Sequence, residues 1–181
     1  MFVRRTAFTL GAAILLMLPT PAALAAASDH DAAFLRAAHQ GNLAEIAGGR
    51  IAQQKAVSSL VKGLAARFVA DHTQMDAGLR DTAARLGVDL PAAPAPEQQA
   101  LADRYQAASA AEFDALYVAT QLDAHAQAMR LGQTELANGS DPRAEQVAEQ
   151  AAPIIASHHE ALRVASETLG GHGYQGHGGR G

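Results

Sequence analysis

The chain has 181 residues, a formal net charge of −4, and neither cysteine nor tryptophan. Such a length suits one domain with one core. The missing cysteine excludes disulfides and thiolate metal ligands, and the acidic balance argues against a nucleic-acid partner, which calls for a basic face. Alanine is abundant and aromatic residues make up 4% of the chain, a composition that favours an all-α fold.

Residues 1–27 read as an export signal. Arg4 and Arg5 precede an apolar run from Ala7 to Leu18, followed by Pro19, Pro21 and the small residues Ala22 to Ala27. The run is short of the roughly 20 apolar residues a membrane span needs, so the mature chain is expected to lack a transmembrane span and to be soluble in the periplasm or otherwise exported. The signal holds two arginines and no acid, leaving twelve basic side chains against eighteen acidic ones. The expected division is a signal at 1–27, a helical domain at 28–169 and a disordered glycine and histidine tail at 170–181.

A first helix is expected from Asp31 to Val57, with Phe34, Ala38, Gly41, Glu45, Gly48 and Ala52 on one face of small residues. Gly41, Gly48 and Gly49 each cost about 1 kcal/mol inside a helix, which implies a close helix contact or a local break. A second helix follows from Ser59 to Leu86, with Ser58 as its cap and Gly87 and Val88 suited to a left-handed C-terminal cap. Its seam runs Val61, Leu64, Phe68, Met75, Leu79 and Leu86, and His72 fills the gap between Phe68 and Met75.

Asp89 to Pro96 forms a proline and alanine linker that crosses the domain, and a short helix around Glu97 to Ala107 covers one end. Ser109 and Glu112 make a capping box for a third long helix reaching about Ala137. Val118, Leu122, His125, Met129 and Leu136 form one seam on it, and Phe113, Tyr117, Ala124, Ala128 and Leu131 another. The last helix starts with Asp141 as cap and Pro142 at its first position and ends at Leu169. Its stripe is Val147, Ala151, Ile154, Ile155, His158, Leu162, Ala165 and Leu169, with Pro153 expected to kink it one turn before His158.

Four long helices, with a linker that crosses between the second and third, are expected as an antiparallel four-helix bundle with an extra short helix in the crossover. Glu45, His72, His125 and His158 each fall near the midpoint of a different helix, so they converge at one level. Imidazoles on three helices suit zinc or copper, with Glu45, Asp71 or Asp123 as a further ligand or as an orienter of a ring. The alternative is a purely structural polar core that fixes helix register, in a non-catalytic envelope or stress-related protein whose partner the sequence does not name.

The segments FLRAAHQGNLAE at Phe34 to Glu45, DHT at Asp71 to Thr73, AEFDALYV at Ala111 to Val118, DAH at Asp123 to His125 and PIIASH at Pro153 to His158 resemble a bacterial exported family catalogued as domain of unknown function 4142. Its members are often labelled outer membrane proteins and classed as ferritin-like. The resemblance spans roughly Ala32 to Leu169 and implies a ferritin-like bundle without implying a reaction. The label does not fit this chain, which lacks the alternating strands of a barrel. Di-iron bundles also carry Glu-x-x-His pairs, whereas Leu122 and Ile155 occupy the corresponding places before His125 and His158. Iron is therefore less suited than zinc or copper.

Two further histidine groups carry weaker signals. Cleavage after Ala27 would expose Ser28-Asp29-His30, a sequence able to wrap Cu(II) or Ni(II) in a square plane. His172 and His177 sit in the glycine tail, where gathering them around an ion costs entropy. His39 and His159 are expected at seam edges or on the surface, without a role. No nucleophile constellation stands out, since Ser58, Ser59, Ser109 and Ser140 lie at expected helix starts.

Overall fold

The computed structural model describes residues 27–174, with side chains for residues 27–170. The expected signal, apart from Ala27, and the tail from residue 175, including His177, lie outside the described residues. Five helices follow in order: α1 (Asp29–Lys55), α2 (Ser59–Leu86), α3 (Pro96–Ala107), α4 (Ala110–Asn138) and α5 (Pro142–Tyr174). No described helix is long and apolar enough to cross a membrane.

Local chemistry sets most of the ends. Ser28 and Asp31 form a capping box at the start of α1, and Ser109 and Glu112 form one at the start of α4. Gly87 closes α2 with φ 67° and ψ 28°, a left-handed conformation that costs glycine least. Asp141 Oδ1 accepts from the Arg143 amide at 2.9 Å and so caps α5. Ser58 departs from expectation: its side chain makes no cap bond. Instead Asp114 of α4 accepts from the amides of Val57 and Ser58 at 3.1 and 2.7 Å, a tertiary contact invisible to local sequence. The last helix also runs past Leu169 to Tyr174, because a glycine pair weakens a helix without terminating it.

The four long helices each lie beside two others: α1 beside α2 and α4, and α5 beside α2 and α4. Asn42 faces His72 while Arg36 reaches Asp89, so α1 and α2 run antiparallel. His30 approaches Glu135 while Val57 meets Asp114, which makes α1 and α4 antiparallel as well. Gly49 supplies the closest approach in the α1–α2 contact. A Cβ there would stand 2.7 Å from Val69 Cγ2 and 3.1 Å from the Ala65 carbonyl, so this glycine is a contact and not a break.

Two apolar clusters fill the interior. One holds Ala52, Val61, Phe68, Phe113, Tyr117 and Leu162; the other holds Phe34, Leu35, Leu79, Leu86, Ala144 and Ala148. Each fully buried large side chain contributes roughly 1.5–3 kcal/mol. Along every long helix the two clusters are separated by buried polar residues: Asn42 and Glu45 on α1, His72 on α2, Gln121 and His125 on α4, and His158 on α5. This polar belt is the candidate site. One expectation fails beyond it on α4, where Leu136 is 43% exposed and its neighbour Glu135 is buried. Burial, with Asp31 and Glu145 nearby, pushes the Glu135 carboxyl up to about 7.

Candidate metal centre

Helical periodicity carries His72, His125 and His158 inward, each in line with apolar neighbours of its own helix. The three rings pack with centroids 5.4–5.7 Å apart, and Phe68 lies 5.0 Å from the His125 ring and 4.4 Å from that of His158. One nitrogen from each imidazole lies within 4.8 Å of the other two.

The hydrogen bonds fix which nitrogens those are free to be. His125 Nδ1 lies 2.9 Å from the Gln121 carbonyl, which can only accept, so Nδ1 carries the proton. His158 Nε2 lies 2.7 Å from Asp71 Oδ2 and donates to it. His72 Nδ1 lies 2.9 Å from Asn42 Oδ1 and donates there. In the neutral rings this leaves lone pairs on His125 Nε2, His158 Nδ1 and His72 Nε2. The first two face each other at 3.3 Å, and the third is buried without a hydrogen-bond partner.

The rings are held neutral. Burial, reinforced by His125 and His158, drives His72 down to about 3, and burial drives His125 to about 4 against the opposing bond to Gln121. His158 is lowered too, chiefly by burial, with Asp71 opposing. Three neutral imidazoles, each with its second nitrogen donating to an oxygen, match the way proteins prepare histidine for a metal. Nitrogens about 2.05 Å from a tetrahedral zinc ion stand about 3.3 Å apart, the separation found between His125 Nε2 and His158 Nδ1.

The carboxylates expected near the rings fare differently. Asp71 orients His158, as described. Asp123 is exposed and stands outside the cluster, at the rim of a cavity that His125 also lines. Glu45 is buried, but its side-chain partner is Gln121 rather than an imidazole; burial raises its carboxyl to about 8. Asn42 was missed by sequence reasoning. Its signal was the spacing of three before Glu45 on the same buried face.

His39 corrects the sequence reading outright. It is buried, with Nδ1 2.6 Å from Asp76 Oδ1 and Nε2 3.0 Å from the Pro91 carbonyl, tying α1 to α2 and the crossover. His30 sits within the first turn of α1, 3.2 Å from Glu135 Oε2, while the Ser28 amide donates to Asp31 at 3.2 Å. A square-planar copper site at 28–30 would have to unwind this turn. A cavity of about 1260 Å³ opens beside the polar belt, with His72 and His125 on its wall.

A family model described as a domain of unknown function (DUF4142) matches residues 16–164. Among curated proteins and among solved structures, none matches the chain.

Proposed function

Because the chain belongs to the DUF4142 family, whose description names no activity, we propose from the site itself that it binds a divalent metal, zinc or copper, through His72, His125 and His158. The observation that carries this reading is the approach of His125 Nε2 and His158 Nδ1 to 3.3 Å in a buried site, where the bonds of the opposite ring nitrogens to Gln121 and Asp71 assign a lone pair to each. Without a cation between them, two lone pairs oppose each other. A purely structural core would place a proton there, and burial of both rings works against that. The wall of the cavity carries His72 and His125, so a fourth coordination position would face it, as in open metal sites.

The same reading places the protein outside the cytoplasm, with the leader at 1–27 removed and the metal bound or buffered in the cell envelope. The helix order, two antiparallel pairs joined by one long crossover, supports a ferritin-like four-helix bundle. The test is calorimetric titration of the purified, metal-free exported chain with zinc and with copper, beside a His72→Ala, His125→Ala, His158→Ala variant checked for helicity. The expected result is one equivalent bound with submicromolar affinity by the parent and no binding at the core in the variant, which lacks all three imidazoles. Equal binding by both would move the metal to His30 or the tail and end this reading.

A further inference from the structure

The cavity beside the polar belt is larger than a metal ion needs. It runs along α1 from Phe34 to Gly48 and along α4 from Thr120 to Leu136, which at 1.5 Å per residue is about 21–24 Å. Its volume of about 1260 Å³ exceeds the roughly 300–1,000 Å³ of common ligand pockets. The space exists because small residues face each other across it. Ala37, Gly41 and Ala44 line one side and Ala124, Ala128 and Gly132 the other; a Cβ added at Gly41 or Gly132 would meet nothing within 4 Å. Met75, Met129, Leu131, Ile154 and Ile155, placed in the core by sequence periodicity, are half-buried because they border this trough.

Away from the polar belt the trough's glutamines, Gln74, Gln127, Gln133 and Gln150, are exposed at its rim, and its buried polar groups lie at or beside the belt. Under α3, Glu45 Oε2 and Gln121 Oε1 are buried on its wall without hydrogen-bond partners. From there towards Phe34 and Leu136 the wall is largely apolar. His72 Nε2, also unpartnered on this wall, belongs to the imidazole cluster; the other two atoms call for a ligand group that completes them. Gln121 Oε1 can only accept. The Glu45 carboxyl, neutral while burial holds it near 8, can donate. A hydroxyl group satisfies both at once, accepting from one and donating to the other. The basic side chain on this wall is Arg104, exposed at the rim, so an anionic head at the buried end would have no counter-ion, and a cationic head would gain one only if Glu45 ionised against the burial that raises its carboxyl.

We propose that the trough binds an uncharged single-chain amphiphile, a long-chain alcohol in chemical class, with its hydroxyl between Glu45 and Gln121 and its alkyl body along α1 and α4 towards Phe34. From Glu45 to Phe34 the path is about 16 Å, long enough for a medium to long alkyl chain. This binding does not depend on the metal, although the head would lie beside the imidazoles when both are bound.

The test is titration of the isotope-labelled exported chain, metal-free and zinc-loaded, with dodecan-1-ol, dodecanoate and dodecylamine, followed by amide chemical shifts. The expected outcome is saturable one-to-one binding of the alcohol, at least about tenfold tighter than either charged analogue, with shifts along residues 34–48 and 120–136. A Gly41→Leu, Gly132→Leu variant fills the open space with good helix formers. It should retain helicity and zinc stoichiometry while losing the alcohol at least about tenfold. Equal affinity for all three heads, unchanged affinity in the filled variant, or no saturable binding would each overturn the proposal. Zinc is titrated separately on the same samples, so failure here leaves the metal reading standing, and failure of zinc to bind leaves this one standing.

Discussion

Buried histidine occurs in two settings, His39 alone on α1 and the three rings of His72 on α2, His125 on α4 and His158 on α5, and they differ in what each leaves unused. His39 spends both ring nitrogens, one on Asp76 and one on the Pro91 carbonyl. It is a finished joint between two helices and the crossover, with no capacity for a ligand. His72, His125 and His158 each spend one nitrogen on an oxygen and turn the other towards a shared point. Burial is common to both sets, so burial does not separate a structural histidine from a ligand. The proposed metal reading rests on the unspent lone pair instead.

The largest expected effect breaks the finished joint. His39→Ala leaves the Asp76 carboxyl buried without its partner, and removing one member of a buried pair costs about 3–5 kcal/mol. Urea unfolding should show that loss, while zinc affinity of the folded variant stays at the parental value. A loss of zinc affinity in this variant would mean that the two sets are one system.

Asp71→Ala sharpens the comparison from the other side. It takes the acceptor from His158 Nε2, frees the ring to change tautomer, and should weaken zinc binding about 10–100-fold. Stability should fall by about 1–3 kcal/mol, because the buried His158 Nε2–H loses its acceptor, while the pairing of Asp71 with Arg67, a surface contact at 3.4 Å, adds little. Unchanged zinc affinity would remove Asp71 from the site.

The smallest effect concerns pH in the metal-free protein. His72 and His125 are lowered to about 3 and 4 from the ordinary 6.5, so below pH 6.5 the unfolded chain takes up protons that the folded one refuses. The stability they contribute is present above pH 6.5 and is lost as the pH falls through about 4. Glu45, raised to about 8, acts in the opposite sense: its contribution is present below about pH 4.5 and is lost as the pH rises through 8. Between pH 7 and 8, above the value of about 7 for Glu135, the alkaline slope belongs mainly to Glu45. It should not exceed about 1.4 kcal/mol per pH unit. Glu45→Gln should flatten thermal stability in that interval and leave the slope below about pH 4.5 in place, where Glu45 is protonated in both states. An unchanged alkaline slope would show that Glu45 is ionised in the folded protein.

Much of the fold was written locally. Capping at Ser109 and Glu112, the left-handed Gly87 and the Asp141-Pro142 start each depend on a few adjacent residues, and those boundaries read from sequence to within a residue. The three site histidines were legible because each sits in line with apolar residues at helical spacing. What sequence could not supply was distance across helices. The Asp114 cap on the start of α2, the Asn42 partner of His72 and the His39–Asp76 pair join residues 30 to 57 positions apart. Asp123 is near His125 in the chain, but two residues along a helix do not share a face, and it ends exposed at the cavity rim instead of among the imidazoles. Gly41 read as a contact or a break, yet it borders open space, since a small residue permits close approach without enforcing it.

The most direct measurement is two-bond nitrogen–proton NMR of the histidine rings in the metal-free chain at pH 7, repeated after one equivalent of zinc. The expected spectra show neutral rings protonated at Nδ1 in His72 and His125 and at Nε2 in His158. Zinc should shift the unprotonated nitrogen of each and leave His39 unchanged. A doubly protonated ring among the three, or spectra that zinc does not alter, would contradict the assignment of these lone pairs to a metal.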